Sequence, residues 1–304
     1  MRIVVPIKQV PETSAVKMDE TTGTMIREGV EAIVNPLDLY AIETAIGLRE
    51  SHGGEVVAIS MGPPKAITAL REAIAMGCDH AVLISDKAFA GSDTWATSYV
   101  LAAAIRKLDG GAGASPAGSA PNRRPDAPSA AKRKDAPDRD RDGLSSIDLV
   151  MCGERATDGD TGQVGPGIAS FLNLPVVTYV SRIESFAGNG QKTVRLRRLT
   201  EEGYEVLDVD SPAVLAVVKE IAAPRLPTLR GKQKAKKTEI PCWGVADLDI
   251  DPARVGLDGS PTRVVKIFRP AVARQCEKVL AGDEQAVQAA VEKLVDFLRT
   301  KELM

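Results

Sequence analysis

The chain has 304 residues, of which 44% are hydrophobic, with a net charge of −2 and an isoelectric point near 5.9. This balance argues against a nucleic-acid partner, because such partners are bound by strongly basic surfaces. The apolar run from Ile3 to Ile7 is too short for a signal peptide, and no segment is long enough to span a membrane. We therefore expect a cytoplasmic protein without membrane insertion.

The cysteines and histidines give no sign of a metal or catalytic centre. The four cysteines are far apart and form no CxxC pair: Cys78, Cys152, Cys242 and Cys276. They predict neither a zinc site nor a disulfide framework, so buried free thiols are the expected state. The two histidines, His52 and His80, lie in no motif, which gives poor support to a catalytic triad or a histidine base. We assign no catalytic residue and no metal ligand.

Strands and helices alternate over the first two-thirds of the chain. Short β-branched runs predict strands at residues 2–7, 55–61, 80–85 and 146–151. Amphipathic patterns predict the helices between them, at residues 36–50, 64–76 and 93–107. This alternation is typical of an α/β protein with a doubly wound, Rossmann-like parallel sheet. Ligands of such sheets bind beyond the carboxyl ends of the strands, where we place Pro6, Met61 and Gly153.

Residues 110–143 differ in composition from the rest of the chain. They are rich in Gly, Ala, Ser and Pro and then in Arg, Lys and Asp, and they lack the large apolar side chains that form a core. We predict a disordered, solvated insertion within a domain of residues 1–219. The clusters Arg123-Arg124 and Lys132-Arg133-Lys134 could instead contact an anionic partner, but aspartates through Asp142 cancel most of their charge.

The most informative stretch is CGERATDGDTGQVGP, residues 152–166, between a predicted strand and a predicted helix. Glycines at 159, 162 and 165 let the backbone approach a phosphate, and the free N–H groups of the first helical turn would point at it. Thr161 and Gln163 add side-chain donors. We predict an adenine-nucleotide loop. A plain turn capped by Asp158 or Asp160 is the alternative, since the loop matches neither the GxxxxGK(S/T) nor the GxGxxG pattern.

Residues 156–166 resemble the nucleotide loop of the electron transfer flavoprotein beta subunit family. The segments VVPIKQVP (residues 4–11), NPLD (35–38) and SMGP (60–63) resemble its first strand, the start of its first helix and the end of its second strand. The segment RLTEEGYEV (198–206) resembles its late hairpin, with Glu202 where a small or acidic residue is usual. The resemblance runs from residue 1 to about residue 270 and is interrupted by residues 110–143, where the family has a short connection.

The resemblance implies which residues lie against the nucleotide. From the residues alone, Asn35 would cap a helix with Pro36 in its first turn, and Met61 would pack in the core. The family places both, and Asp38, at the nucleotide. The complete set of expected cofactor-binding residues is Pro6, Asn35, Asp38, Met61, Thr94, Thr97, Gly153, Asp158, Gly159, Asp160, Thr161, Gly162, Gln163 and Val164.

The family holds one of two nucleotides in this subunit. One is a structural AMP, and the other is a second FAD that takes hydride from NADH and divides the electrons between two acceptors, which is electron bifurcation. The segments AGSDTWATSY (90–99) and LPVVTYV (174–180) resemble the bifurcating members more, which favours FAD. On other grounds, Ser92 or Asp93 could simply cap the following helix, and residues 176–180 could form an ordinary buried strand.

Residues 224–237, PRLPTLRGKQKAKK, combine leucines with a basic run. A basic run is usually a solvated face. Here it resembles the family's recognition loop, in which one leucine enters an apolar pocket of an acyl-CoA dehydrogenase or a related electron partner. The resemblance assigns that leucine to Leu229 and the surrounding contacts to Arg225, Arg230 and Lys232.

The last part of the chain, residues 220–304, lacks a core of its own. Residues 257–270 predict an extended arm and residues 284–298 an amphipathic helix. The resemblance implies that this part packs on an alpha subunit and that the heterodimer carries electrons. An ATP-using ligase or pyrophosphatase on the same fold is a competing class, but PIKQVP at residues 6–11 cannot form the glycine-rich loop that such enzymes need. A nucleotide-sensing stress protein would not explain the arm or the basic run.

Overall fold

The structure is a computed structural model that describes residues 1–12, 17–18, 25–26, 32–110, 144, 146–187, 192–265 and 278–304. It divides into two compact units, Met1–Val265 and Lys266–Met304. Apart from Gly110, the predicted disordered insertion at 110–143 lies outside the described residues.

The described residues form thirteen strands and six α-helices. The strands are β1 (Arg2–Pro6), β2 (Gln9–Pro11), β3 (Lys17–Met18), β4 (Met25–Ile26), β5 (Ala32–Val34), β6 (Glu55–Met61), β7 (His80–Ile84), β8 (Leu149–Gly153), β9 (Val176–Ala187), β10 (Thr193–Thr200), β11 (Gly203–Asp210), β12 (Ala213–Val217) and β13 (Cys242–Trp243). The helices are α1 (Asp38–His52), α2 (Ile67–Met76), α3 (Thr94–Leu108), α4 (Val164–Leu172), α5 (Leu229–Lys237) and α6 (Glu284–Thr300).

A nine-stranded sheet is the centre of the first unit, in the order β11-β10-β9-β12-β8-β1-β6-β7-β13. All neighbouring strands are parallel except β9 with β10 and β10 with β11, which are antiparallel. The chain runs outward from β1 through β6 and β7, and then continues on the other side of β1 with β8. The predicted doubly wound parallel sheet is thus confirmed, and its topological switch point lies between β1 and β8.

Apolar cores cover both faces of the sheet. In β1, Ile3 and Val5 are buried in the cluster that includes α1 and α2, whereas Val4 is buried in the cluster that includes α3 and α4. Alternate side chains of a strand point to opposite faces, so a strand covered on both sides needs a continuous apolar run. The sequence IVVPI satisfies this need. Rigid cores on both sides hold the strand ends at the switch point in place.

The predicted strands and helices agree with the structure to within about three residues. The clearest difference is at α1, which begins at Asp38, with Leu37 as its N-cap and no side-chain cap. The prediction that Asn35 caps this helix was wrong. Asn35 and the next two residues form a turn instead, in which the Asp38 N–H donates to the Asn35 carbonyl over 2.9 Å. The Asn35 side chain is therefore available for another partner.

The part of the chain that follows β12 packs back on the sheet up to Ser260. Helix α5 lies on α2, and β13 pairs with β7 at the sheet edge. The Ser260 hydroxyl accepts from the Asp93 N–H at 2.9 Å. The basic run that resembles a recognition loop is helical from Leu229 onward. The predicted boundary at residue 219 therefore falls before a segment that contacts the sheet domain.

The second unit contains α6. Asp283 caps this helix by accepting a hydrogen bond from the Ala286 N–H at 2.8 Å. Four of its larger apolar side chains are about half exposed: Val287, Val291, Leu294 and Phe297. Val295 and Leu298 are less exposed. In the arm that precedes this unit, Val264 and Val265 are exposed as well. None of the helices in the described ranges is long and apolar enough to cross a membrane.

Candidate functional site

The loop between β8 and α4 lies at the switch point of the sheet. Its residues from Thr157 to Gln163 are exposed. Asp160 (φ 52°) and Gly162 (φ 62°) adopt the left-handed conformation. Glycine adopts it freely and aspartate tolerates it better than most residues do. The chain turns at these two left-handed residues, and the backbone of the loop is left open to a ligand.

Helix α4 starts at this loop without a side-chain cap. Gln163 is its N-cap residue, and no side chain accepts a hydrogen bond from the first turn. The alternative in which Asp158 or Asp160 caps the helix was therefore wrong. Since Pro166 has no N–H, the donors of the first turn are the N–H groups of Val164 and Gly165. An uncapped helix start attracts anions such as phosphates.

Asn35 fixes the loop to the start of α1. Its side-chain Nδ2 donates to the Arg155 carbonyl and to Asp38 Oδ1, each at 2.9 Å. Its Oδ1 accepts from the Thr157 N–H at 3.1 Å. Asn35 is fully buried. A buried amide with all these partners sets the path of the chain from residue 155 to residue 157, which is a positioning role.

Asp38 is a buried carboxyl group beneath the same loop. Its Oδ2 accepts from the Lys8 N–H at 2.7 Å, and the Lys8 ammonium pairs with Asp158 Oδ1 at 2.8 Å. Burial raises the pKa of Asp38 to about 7, against the opposing effect of the hydrogen bonds from the Lys8 N–H and the Asn35 side chain. Residues from three separate segments thus meet below the loop.

Gly153 lies where β8 reaches α1. A Cβ atom at this position would overlap Asp38 Oδ1 and the Leu37 carbonyl. The glycine is therefore needed for the direct contact between the strand end and the helix start. By contrast, nothing lies within 4 Å of the position of a Cβ on Gly159.

Helix α3 reaches the loop from the other face of the sheet. The Thr94 hydroxyl donates to Gln163 Oε1 at 3.0 Å. Asp93 caps α3 by accepting from the Ala96 N–H at 3.0 Å, as the sequence allowed. Thr97 follows one turn later and is partly exposed. The structure thus brings Thr94 and Gln163 together, two residues that the resemblance assigned separately to the nucleotide.

A cavity of about 130 Å³ adjoins the loop, and its walls include Arg155, Asp160, Gly162, Thr178 and Tyr179. Arg155 Nε pairs with Glu154 at 3.3 Å and with Asp160 at 3.1 Å. Tyr179 has φ 59° beside a register shift of β9, and its side chain is half exposed. A strained non-glycine residue in a cavity wall is typical of a functional site. The sequence analysis missed Tyr179, because its segment also fits an ordinary strand.

Pro6 and Met61 are the last residues of β1 and β6 and lie at the carboxyl ends of the parallel strands. Pro6 is buried, and Met61 packs against the core on the α3 and α4 face. Their contact with a nucleotide stays a prediction. A larger cavity, of about 310 Å³, includes Arg2, Glu55 and His80 at the amino ends of the strands. There Glu55 already pairs with Arg2 at 2.7 Å and lies 3.5 Å from His80 Nε2, so this cavity is a weaker candidate.

The residues assigned to the recognition loop differ in their surroundings. Leu229, Arg230 and Lys232 are exposed at the start of α5, whereas Arg225 pairs with Glu43 and Glu50 of α1. Leu226, which the sequence analysis did not assign, is more exposed than Leu229, at 86% against 75%.

The cysteines are mostly as expected. Cys78 and Cys152 are buried, and burial raises the pKa of each thiol to about 12. Cys242 is exposed, so the expectation of a buried thiol was wrong there. Cys276 lies outside the described residues. Among the residues that the structure describes, no group of three or more His, Cys, Asp and Glu side chains could hold a metal ion.

Comparison with known proteins identifies the family. The model of the electron transfer flavoprotein domain matches residues 22–116 and 142–248, with its gap inside residues 110–143. The chain is 41% identical to the electron transfer flavoprotein subunit beta of Thermoanaerobacterium thermosaccharolyticum, over 97% of this chain and 98% of the relative. It is 42% identical to the caffeyl-CoA reductase-Etf complex subunit CarD of Acetobacterium woodii, over 89% and 88%. It is 37% identical to the protein FixA of Azorhizobium caulinodans, over 89% and 85%. The chain belongs to the electron transfer flavoprotein beta subunit family.

Proposed function

We propose that this protein is the beta subunit of a heterodimeric electron transfer flavoprotein and that its loop at residues 154–164 binds an adenine nucleotide. The observation that carries the proposal is the exposed loop with an uncapped helix start at the switch point of a parallel sheet. Such switch points are where doubly wound sheets bind nucleotides. We infer that the alpha subunit holds the flavin that delivers electrons to the partner.

The charges of the loop fit a diphosphate. Each of its three carboxylates contacts a cation: Asp158 pairs with Lys8 at 2.8 Å, and Glu154 and Asp160 share Arg155 at 3.3 and 3.1 Å. The N–H groups at the start of α4 and the side chains of Thr161 and Gln163 then remain as donors. Because ligand cavities are usually larger than about 300 Å³, the 130 Å³ cavity accommodates only part of a dinucleotide. We propose that the remainder lies along the exposed loop.

We propose FAD as the nucleotide and NADH as the electron donor, with AMP as the alternative nucleotide. The proposal is supported by segments 90–99 and 174–180, which resemble the bifurcating members of the family. It is also supported by the similarity to CarD, whose name places it in a complex of an Etf with a CoA-ester reductase. Bound at this loop, FAD would accept hydride from NADH.

The chain itself binds and orients the nucleotide. Val164 and Gly165 offer backbone donors to phosphate, while Asn35 and Asp38 hold the loop from below. Gly162 provides the left-handed turn before the helix. We assign no proton transfer and no covalent step to any of these residues, since none of them is a nucleophile beside a base.

The proposed partners are the alpha subunit and an acyl-CoA or related dehydrogenase. The exposed apolar side chains of α6, together with Val264 and Val265, support burial against another chain. The exposed Leu229 with Arg230 and Lys232 supports a short-lived contact with the electron partner, in which the leucine fixes position and the cations raise the encounter rate. We place the complex in the cytoplasm.

The decisive experiment is the nucleotide content of the complex co-expressed with its alpha subunit. Two FAD per heterodimer, with reduction by NADH, are expected. One FAD and one AMP would contradict electron bifurcation but would still agree with an electron-carrying heterodimer. An isolated chain that hydrolyses ATP and binds no alpha subunit would favour the competing enzyme class.

A variant locates the nucleotide within that complex. In Gly162→Val, a β-branched side chain must adopt φ 62°, which is strained, and the loop should move away from the phosphates. We expect a loss of the nucleotide held by this subunit, with heterodimer assembly intact. Gly47→Val is the matched control, because Gly47 lies in α1 outside the loop and nothing lies within 4 Å of its added Cβ. Full nucleotide content in Gly162→Val would contradict the phosphate position.

A further inference from the structure

The segment from Pro224 to Lys237 is fixed to the domain at two places. At its start, Arg225 contacts α1, and at its end, α5 packs on α2. Between these two anchors, Leu226 and Leu229 are 86% and 75% exposed. Both leucines project into water and gain no burial energy in the free protein, so they are available to a partner.

Arg225 forms the first anchor with all of its side-chain nitrogens. Nε donates to Glu43 Oε2 at 2.8 Å, and Nη2 donates to Glu43 Oε1 at 2.9 Å. Nη1 and Nη2 donate to the two oxygens of Glu50 at 2.6 and 3.0 Å. The Arg225 backbone N–H also donates to Glu43 Oε2, at 3.0 Å. One guanidinium group therefore joins two carboxylates that are two helical turns apart on α1, a geometry that lysine cannot reproduce.

Helix α5 forms the second anchor. Thr228 caps it by accepting from the Gly231 N–H at 2.9 Å. A Cβ on Gly231 would overlap the Ala75 carbonyl, so α5 lies directly against the end of α2. The Lys234 ammonium donates to the Cys78 carbonyl at 3.2 Å, and Arg71 bonds to the Ala235 carbonyl. The residues between Arg225 and Thr228 therefore connect two fixed points.

The charges argue against a direct role for Arg225 in binding an acidic partner. Its guanidinium is bonded to two carboxylates, so the cluster of Arg225, Glu43 and Glu50 carries a net charge of −1. The pKa of Glu50 is lowered by its hydrogen bond from Arg225, which keeps this carboxylate charged. Among the described residues of this segment, the exposed cations lie on α5 instead, among them Arg230, Lys232, Lys236 and Lys237, and Lys232 interacts with Glu72 of α2. Attraction of an acidic partner surface must come from α5.

We propose that Arg225 is a positioning residue, which holds the backbone of residues 224–229 through Glu43 and Glu50 so that Leu226 and Leu229 project together. The inference rests on the proposed function, because it concerns the surface offered to the electron partner. The partner is a protein with an apolar pocket and an acidic rim. Holding the loop in its bound conformation before encounter removes part of the entropy lost on binding.

The test compares Arg225→Gln with Glu43→Gln in the complex with the alpha subunit. If Arg225 acts through its carboxylates, both variants raise the KM for the electron partner by about tenfold, while kcat and flavin content stay unchanged. If Arg225 contacted the partner directly, Glu43→Gln would free the guanidinium and leave the KM unchanged or lower it. Glu43 suits this purpose because only 15% of its side chain is exposed.

Two further variants separate geometry from charge and from general damage. Arg225→Lys keeps the charge but reaches only one carboxylate, so we expect the same rise in KM as in Arg225→Gln; full rescue by lysine would overturn the inference. Arg195→Gln is the matched control, since Arg195 of β10 also pairs with two carboxylates, Glu184 of β9 at 3.6 Å and Asp208 of β11 at 3.4 Å. We expect Arg195→Gln to leave the KM unchanged.

Hydrogen–deuterium exchange decides the inference independently of electron transfer. Arg225→Gln and Glu43→Gln should speed exchange of the residue 225 and Gly231 amides, which donate to Glu43 Oε2 and Thr228 Oγ1, without changing exchange in β1 or β8. If the complex contains no flavin, the proposed function fails, while faster exchange in both variants still supports the positioning role of Arg225. Unchanged exchange in both variants would overturn that role whatever the flavin content. A double variant with Leu229→Ala should show a KM rise smaller than the product of the two single effects.

Discussion

Asp38 has the most informative environment of any single residue in the site. It is 6% exposed, accepts from the Lys8 N–H and from Asn35, and carries a pKa raised to about 7. Because the folded state raises this pKa from 3.8, it binds a proton more tightly than the unfolded chain does. The stabilisation that comes from the protonated form is complete below about pH 4 and is lost as the pH rises through 7.

Asp38→Asn should remove this dependence on pH. Between pH 4 and 7, the free energy of unfolding of the variant, relative to the original chain, should rise with pH by up to about 1.4 kcal/mol per unit. The variant should be less stable at pH 4, since the asparagine has one acceptor for two donors. Urea unfolding of both chains at pH 4.5, 5.5, 6.5 and 7.5 measures the difference. A difference that stays constant over this range would contradict the raised pKa.

Gly153 provides a second test at the scale of one residue. Gly153→Ala should lower the free energy of unfolding by about 1–3 kcal/mol, because its Cβ would overlap Asp38 and Leu37 and push α1 away from β8. Gly159→Ala, in the same loop but with open space around its Cβ, should change stability by less than about 0.5 kcal/mol. Thermal unfolding of the two variants makes the comparison. Equal effects would show that the close contact at Gly153 is not tight.

At the scale of elements, the parallel strands were predictable and the connections between distant residues were not. Continuous apolar runs such as IVVPI predict a strand buried on both faces, and the structure agrees. The Asn35 side chain looked like a cap, because sequence patterns describe neighbours; its partners, Arg155 and Thr157, are more than a hundred residues away. For the same reason, the sequence pattern gave no indication that Arg225 pairs with Glu43 and Glu50 of α1. The register shift that places Tyr179 in the cavity wall has no sequence signature.

We expect two leucines to contact the electron partner: Leu229 at the start of α5 and Leu226 in the segment that precedes it. Leu229→Ala should slow electron transfer to that partner at limiting partner concentration, by about tenfold or more, with flavin content unchanged. Leu226→Ala should have an effect in the same direction, since Leu226 is even more exposed in this chain than Leu229. Steady-state reduction of the partner by the complex measures both. An unaltered rate for Leu229→Ala would refute its assignment as the anchor.

The cations near these leucines should behave differently. Arg230→Gln and Lys232→Gln should lower the association rate and reduce its dependence on salt, with less change in the dissociation rate, because exposed charges act mainly on encounter. Stopped-flow measurements at two ionic strengths separate these effects. A salt dependence that is identical to that of the original chain would contradict the assignment.

At the scale of the whole molecule, the two ends of the 111–143 segment are held side by side. Asp109 Oδ1 accepts from the Ser146 and Ile147 N–H groups at 2.7 and 2.9 Å. The Arg2 guanidinium bonds both the Leu108 carbonyl, at 2.7 Å, and the Ser146 hydroxyl, at 3.1 Å. The end of α3 and the approach to β8 are therefore joined by residues outside the segment. The junction lies at the amino ends of the strands, away from the nucleotide loop.

Replacing residues 111–143 by a short Gly-Ser linker should leave the protein folded and active. The junction at Asp109 already closes the chain, and surface connections tolerate changes of length well. We expect the midpoint of thermal unfolding, heterodimer assembly and nucleotide content to match those of the full chain. A loss of assembly alone would indicate that the segment contacts the alpha subunit.

The pairing of β13 with β7 also affects how a truncated chain would behave. β13 occupies the edge of the sheet, where the Leu83 and Ser85 N–H groups donate to the Pro241 and Trp243 carbonyls, each at 2.9 Å. Arg254 covers the aromatic rings of Trp95 and Tyr99 at 4.9 and 4.4 Å. A fragment that stopped at residue 219 would leave an unpaired strand edge beside uncovered rings, and such edges recruit strands from other chains. Premature termination at residue 219 would therefore yield a chain that aggregates through this edge.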